Sequence, residues 1–175
     1  METTERIVEA YVRYIKGWAT ISNIRCASQL EIDLLAINPV TLERYHIESG
    51  VSISGAYSKL TDKPFSEKDL KERVKQAGQR RTVGYFVDRK FGEKSVKKAL
   101  AQYGFREGNY TKIIVSWGWT KAAEERAKAE NVVLWDFRIL LKEIADKFKD
   151  ERLYFTDDTL RTLHLFSHAL KFDKP

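Results

Sequence analysis

The stretch KIIVSWGWTKAAEERAKAENVVLWDF, residues 112–137, constrains the fold of this chain more than any other. Residues 112–118 and 131–137 are apolar runs of strand length, and the segment 120–130 between them consists of strong helix formers. A strand, a helix and a second apolar strand in succession are typical of a βαβ unit with buried, parallel strands. The sequence therefore predicts an α/β protein.

A second group of strands lies nearer the N-terminus. Residues 18–25, 30–37 and 44–53 have strand-like composition, and Asn38-Pro39 marks a turn between the last two. Their short connections favour antiparallel pairing. A further short β-like run is predicted at 81–87, and helices are predicted at 3–15, 66–77, 92–103, 138–148 and 157–170. Together these elements predict a mixed central sheet flanked by helices on both faces.

Composition limits where such a protein can act. Hydrophobic residues make up 43% of the 175 residues, which suits one domain with a sizeable core. We find no apolar run of about 18 residues, the length that a membrane span needs, and the charged N-terminal segment lacks the apolar centre of a secretion signal. A single cysteine, Cys26, excludes an internal disulfide framework. We therefore expect a cytoplasmic protein with no membrane partner.

The positive charge of the chain is concentrated in its middle third. The formal net charge is +6, and residues 61–110 alone hold 13 Lys and Arg against seven Asp and Glu. A local basic excess favours an anionic partner, with nucleic acid first, although a well-solvated surface is the alternative.

Two carboxylates lie in apolar, strand-like runs. Asp33 follows Ile32, and Glu48 follows Ile47. A charge in a buried strand is costly unless it is paired or binds a cation. If the two strands pair, the two acids can converge and supply the oxygen ligands that Mg²⁺ needs beside a substrate phosphate. On spacing alone, the alternative is that Glu48 faces solvent and that Asp33 caps a turn or pairs with an arginine.

The order of these elements resembles the restriction-endonuclease-like fold of the PD-(D/E)XK nuclease superfamily, and within it the Mrr-like branch. In that branch a strand of the pattern I-D-hydrophobic-hydrophobic-A precedes a strand that ends in (E/Q)-x-K. Here IDLLA, residues 32–36, is similar to the first pattern, and YHIESG, residues 45–50, is similar to the second. Residues 112–136 also look like the strand, turn, Ala-rich helix and closing strand of the branch. The resemblance covers residues 3–148, so it implies a restriction-endonuclease-like domain over 1–148 and a C-terminal helical extension over 149–175.

The resemblance implies a metal-dependent endonuclease that hydrolyses DNA phosphodiester bonds, with DNA a more expected partner than RNA. Asp33 and Glu48 would hold Mg²⁺ or Mn²⁺ and act in catalysis. The first helix of the family often adds an acid, for which Glu9, or less favourably Glu5, is the candidate.

Gly50 stands where the family places its catalytic lysine. One explanation is that the lysine has moved, with Lys59 as the first candidate and Lys71 or Lys75 from helix 66–77 as alternatives. The other explanation is a catalytically inactive module that binds nucleic acid or another protein.

Further residues complete the predicted surfaces. The nucleic-acid backbone is expected on the basic middle third, at Lys75, Arg80, Arg81 and Lys90. A homodimer is a possible state, through an apolar stripe on helix 157–170. His46 is expected on the strand face opposite Glu48 and outside catalysis.

Overall fold

A computed structural model describes residues 2–53, 55, 58–150 and 154–170 of the chain. Within these residues the strands are β1 (Ala19–Arg25), β2 (Glu31–Ile37), β3 (Arg44–Ser49), β4 (Tyr110–Ser116) and β5 (Val132–Asp136). The helices are α1 (Thr3–Ala10), α2 (Glu67–Lys71), α3 (Arg73–Gln79), α4 (Val83–Tyr85), α5 (Lys94–Gln102), α6 (Lys121–Ala129), α7 (Phe137–Phe148) and α8 (Asp158–Ala169). Two π-helical segments, Tyr11–Ile15 and Phe86–Phe91, continue α1 and α4, and a 3₁₀ turn, Ala27–Gln29, precedes β2.

The strands form one mixed sheet in the order β1-β2-β3-β4-β5. β1, β2 and β3 pair antiparallel, whereas β3 with β4 and β4 with β5 pair parallel. The predicted α/β class with a mixed sheet is confirmed, and so are the antiparallel pairing of β2 with β3 and the parallel βαβ unit.

Both faces of the sheet are covered by helices. On one face, α1, α7 and α8 pack on a core that includes Ile47, Ile113, Val115 and Phe148. On the other face, α4 with its π-helical continuation, α5 and α6 pack on two smaller cores. Alternation along the strands explains this division, because successive side chains point to opposite faces and both are apolar.

Polar side chains at the start of the helices fix where they begin. Thr82, Thr120, Asp136 and Asp157 each accept a hydrogen bond from a backbone N–H in the first turn of the helix that follows. These bonds satisfy donors that have no partner inside a helix.

Most of the run at 81–87 is helical, from Val83 onward, so the prediction of a strand there was wrong. Thr82 accepts a hydrogen bond from the Tyr85 N–H at 3.0 Å and starts α4. Val83 and Phe86 lie three residues apart on one side of the helix and are buried. Short apolar runs do not distinguish a helix from a strand, and here the cap and the packing of Phe86 decide.

Three other predicted elements differ at their bounds. The helix predicted over 3–15 changes from α to π geometry after Ala10, and the one predicted over 66–77 is interrupted at Glu72, whose ψ of 112° is extended. The strand predicted over 44–53 ends at Ser49.

The C-terminal helix α8 packs on the domain. Arg6 of α1 forms an ion pair of 2.9 Å with Asp157, and Leu160 and Leu163 pack on the core beneath α1 and α7. Phe166 and Leu170 are 66% and 75% exposed. A homodimer through this stripe stays a prediction.

No helix in the described part of the chain has the length and apolar character needed to cross a membrane.

Candidate active site

Asp33, Glu48 and Lys90 meet in one buried cluster at the ends of β2 and β3. The Lys90 Nζ lies 3.0 Å from Asp33 Oδ1 and 2.5 Å from Glu48 Oε2. It also donates a hydrogen bond of 2.8 Å to the backbone carbonyl of Glu31. The side chain of Glu48 is fully buried, and Asp33 is 8% exposed. The lysine that the sequence analysis placed on the nucleic-acid surface thus lies between the two acids.

The register of β2 and β3 brings the two acids together. Leu34 pairs with Ile47, so Asp33 and Glu48 are opposite each other one position further along. The Ser49 N–H donates to Asp33 Oδ2 at 2.7 Å, which fixes the orientation of the carboxylate. The convergence expected from the sequence is therefore present.

An irregularity in the sheet lies beside Asp33. The register of β1 and β2 joins Ser22 to Leu34 and Ile24 to Ile32, which leaves Asn23 opposite Asp33 with a left-handed φ of 55°. A left-handed φ at a residue other than glycine is uncommon, and such residues cluster at functional sites.

Lys90 reaches the acids because its segment is anchored at both ends. Phe86 and Phe91 are each 1% exposed and pack with Leu60 and Ile114. The anchored segment holds the lysine stem against the sheet and directs its ammonium to the carboxylates.

The Phe86 ring also occupies the space beside Gly50. A Cβ atom on Gly50 would lie 2.5 Å from Cζ of Phe86. A side chain at position 50 therefore requires the ring to move, and the lysine of the family motif has no room in this packing.

His46 lies on the same strand face as Glu48, so its expected place on the opposite face was wrong. Residues two apart on a strand share a face, and His46 Nε2 is 2.7 Å from Glu48 Oε1. The ring is fully buried and packs edge-on to Phe91, with centroids 4.8 Å apart. His46 therefore orients the carboxylate from behind.

Burial sets the protonation of this cluster. Desolvation, and then repulsion between the two acids, raises the pKa of Asp33 to about 7, and desolvation likewise raises the pKa of Glu48 to about 7. Desolvation would lower the pKa of Lys90, but Glu48 and Asp33 outweigh it and raise that pKa. Desolvation and the Lys90 charge lower the pKa of His46 to about 3. Wherever Glu48 is ionised, neutral His46 therefore donates its Nε2–H to that carboxylate.

A cavity of 180 Å³ opens onto Asp33 and Lys90. We call it the carboxylate cavity. Glu5 reaches it from α1, and the two arginines Arg80 and Arg81 line it as well. Arg81 donates a hydrogen bond of 3.0 Å to the Val51 carbonyl, so this guanidinium also holds the loop after β3. The cavity thus combines three cationic side chains, including Lys90, with the carboxylates of Glu2, Glu5 and Asp33.

Four residues that the sequence suggested lie apart from the cluster. Glu9 accepts a hydrogen bond from Thr20 at 2.9 Å, away from Asp33, and it is Glu5 of α1 that lines the carboxylate cavity. Lys59 and Lys75 line a different cavity. Lys75 forms ion pairs there with Glu72 and Asp69, and Lys71 of α2 pairs with Glu67.

The donor set fits Mg²⁺ or Mn²⁺ completed by water. Glu48 Oε2 is buried without an aligned hydrogen-bond donor among the described residues, and its contact is the Lys90 charge. Mg²⁺ commonly uses one or two carboxylates and takes its other ligands from water and phosphate. No group of three or more His, Cys, Asp and Glu side chains in the described ranges is arranged to hold a metal ion. A bound ion would therefore take ligands from Asp33 and Glu48 and complete its coordination with oxygens of water and substrate.

Comparison with known proteins gives no activity for this chain. No family model matches it, and no curated protein matches its sequence. Among solved structures it is similar to a crystal structure of a protein of unknown function, AF1548. That similarity has 10% sequence identity and a TM-score of 0.45, over 97% of this chain and 98% of the other.

Sequence reasoning missed the roles of His46 and Lys90, although the sequence holds a signal for each. Strand alternation places His46 with Glu48. A helical interpretation of 83–91 would have put Phe86 and Lys90 on one side, four residues apart.

Proposed function

We propose that this protein is a metal-dependent nuclease that hydrolyses phosphodiester bonds in DNA. The observation that carries the proposal is the Lys90 ammonium held between Asp33 and Glu48, at 3.0 Å and 2.5 Å from their oxygens. Two carboxylates and one lysine are the side chains that the resemblance requires, and here the lysine comes from a different element.

The groups in the cluster have distinct parts in this proposal. Asp33 and Glu48 would hold the divalent ion, which, when bound, supplies Lewis-acid activation of the phosphate and of a water molecule. Lys90 would then place its ammonium beside the phosphate oxygens, where negative charge develops. His46 donates to Glu48 Oε1. The other oxygen, Oε2, therefore points towards the Lys90 ammonium.

The surroundings of the cluster support an anionic substrate. Arg80 and Arg81 line the carboxylate cavity, and residues 61–110 contain the excess of positive charge. A bound phosphate would reach the acids past these cations. The carboxylates are more deeply buried than the arginines, so a metal ion bound to them would contact the anionic part of the substrate.

The test is cleavage of supercoiled plasmid DNA with Mg²⁺ or Mn²⁺, with EDTA as the blank. We expect nicking by the wild type and a loss of about 100-fold or more in Asp33→Asn, Glu48→Gln and Lys90→Gln, since each removes a group that acts on the transition state. Lys98→Ala is the matched control for Lys90→Gln, because it removes an exposed lysine charge of α5 and should retain activity.

Two results would decide against the proposal. If Lys59→Ala loses activity and Lys90→Gln retains it, Lys90 is not the catalytic lysine. If the wild type binds DNA but cuts nothing with either metal, the catalytically inactive binding module becomes the better description. The folded state of each variant is checked by circular dichroism.

A further inference from the structure

A second basic cavity adjoins the carboxylate cavity. It has a volume of 360 Å³ and is enclosed by the segment 59–63 and by α2 and α3. Four cationic side chains line it, from Lys59, Lys63, Lys75 and Arg81, against the single carboxylate of Asp69. We call it the lysine cavity.

The backbone holds the segment 59–63 in a fixed place. The Leu60 N–H donates to the Gly118 carbonyl at 2.8 Å, and the Thr120 N–H donates to the Leu60 carbonyl at 3.0 Å. The Thr61 N–H donates to the Arg81 carbonyl at 2.9 Å. The backbone of this cavity wall is therefore hydrogen-bonded to the loop after β4 and to Arg81, two residues before α4.

Arg81 connects the two cavities, because it lines both. Its guanidinium is held by the Val51 carbonyl and stays between them. A chain of phosphates that occupies the carboxylate cavity would thus meet the lysine cavity on the other side of Arg81.

The cations of the lysine cavity are not equally free. Lys75 is neutralised by Glu72 and Asp69, at 2.9 Å and 3.3 Å. Lys59 and Lys63 are exposed, and neither has an ion pair with another residue that the structure describes. These two side chains are the ones that can gain a new anionic partner.

We propose that the lysine cavity is a second phosphate-binding subsite, which holds a phosphate of the same nucleic-acid strand beyond Arg81. The subsite rests on the nuclease function proposed above and adds how the substrate strand is held. A free phosphate would fill one cavity, whereas a strand with repeated phosphates can occupy both sides of Arg81. The expected ligand is therefore the nucleic-acid backbone.

The experiment measures binding separately from cleavage. A fluorescein-labelled DNA oligonucleotide is titrated with the full chain in EDTA and followed by fluorescence anisotropy at several salt concentrations. The variant Lys59→Ala/Lys63→Ala is compared with Lys94→Ala/Lys98→Ala, which removes two exposed lysine charges from α5. The subsite predicts that the first variant binds about 10-fold more weakly with a salt slope smaller by about 1 to 2, whereas the control changes less than about twofold.

Inorganic phosphate is the second probe, because free phosphate is the other source of this chemistry. Equal weakening of DNA binding in both double variants would assign the effect to general surface charge and overturn the subsite. Unchanged DNA binding together with a loss of phosphate binding in Lys59→Ala/Lys63→Ala would show a site for free phosphate and also overturn it.

Cleavage is then measured over a range of DNA concentrations up to saturation. The subsite predicts a raised KM and an unchanged kcat for Lys59→Ala/Lys63→Ala, and a lowered kcat with unchanged KM would overturn it. If the wild type cuts nothing, the nuclease function fails while the anisotropy result still decides whether the lysine cavity binds the strand.

Discussion

A Cβ atom on Gly50 would lie 2.5 Å from Cζ of Phe86. The ring fills the space in which a side chain at position 50 would begin, and Lys90, four residues after Phe86, carries the ammonium to the acids instead. The glycine and the lysine are thus two consequences of one packing arrangement. A lysine at position 50 and the helical segment cannot both keep their places.

The first prediction concerns this contact. We expect Gly50→Lys to destabilise the protein by about 1–3 kcal/mol, because it overpacks the contact with Phe86. Phe86→Ala alone should cost about 3–5 kcal/mol through the cavity it leaves. The double variant should lose less free energy of unfolding than the two single losses added together, since the new side chain enters the space that the ring vacates. Urea denaturation checks this, and additive effects would show that the two sites do not compete.

The second prediction contrasts the charges of the cluster. Lys90→Met leaves two buried carboxylates without their cation, so it should lower the free energy of unfolding by about 3–5 kcal/mol at pH 7.5. Asp33→Asn leaves Lys90 paired with Glu48 alone, and its stability should equal or exceed that of the wild type. Lys97→Met breaks an exposed pair with Glu107 and should cost less than about 1 kcal/mol.

Urea denaturation without metal measures all three variants. If Lys90→Met is as stable as Lys97→Met, the ammonium does not offset the buried acids.

The third prediction is a pH dependence. The pKa of Asp33 is raised to about 7, above its ordinary value of 3.8, so the folded state holds this proton more tightly than the unfolded chain does. That contribution to stability is fully present below the unfolded pKa and is lost as the pH rises through the folded one. Between about pH 4 and pH 7 the wild type should therefore lose stability relative to Asp33→Asn, by a few kcal/mol at most.

Urea denaturation of both proteins between pH 4 and pH 8 gives this difference, in which titrating groups that do not interact with Asp33 cancel. Saturating Mg²⁺ should restore stability to the wild type at high pH, because an ion that binds only the folded state stabilises it. A difference that stays constant with pH would show that Asp33 is ionised throughout.

The fourth prediction concerns His46. His46→Phe removes the donor to Glu48 Oε1 and should weaken Mn²⁺ binding by about 10-fold or more, the usual effect of losing a group that orients a metal ligand. His46→Gln keeps an N–H donor and should retain part of the affinity. Calorimetric titration with Mn²⁺ measures both, and equal affinities in wild type and His46→Phe would remove the orienting role.

Much of the fold could be predicted from the sequence because its signals are local. Strand composition, turns and the βαβ order gave the mixed sheet, and the register then brought Asp33 opposite Glu48. Lys90 could not be placed in the same way. It lies 42 residues after Glu48, and its contact depends on how Phe86 and Phe91 pack, which no spacing pattern encodes. Interpreting 81–87 as a strand hid the helical spacing that places Phe86 and Lys90 on one side.

The cluster joins a sheet to a segment that contributes no strand to it. Native proteins open locally in cooperative units, and Lys90 ties the segment 83–91 to β2 and β3 through the two acids. A divalent ion held by Asp33 and Glu48 would compete with Lys90 for the same oxygens and so weaken the hold of the sheet on this segment. A bound phosphate would give the ammonium a new partner. The rate of amide hydrogen exchange in 83–91 should therefore depend on whether Lys90 or a divalent ion contacts Asp33 and Glu48.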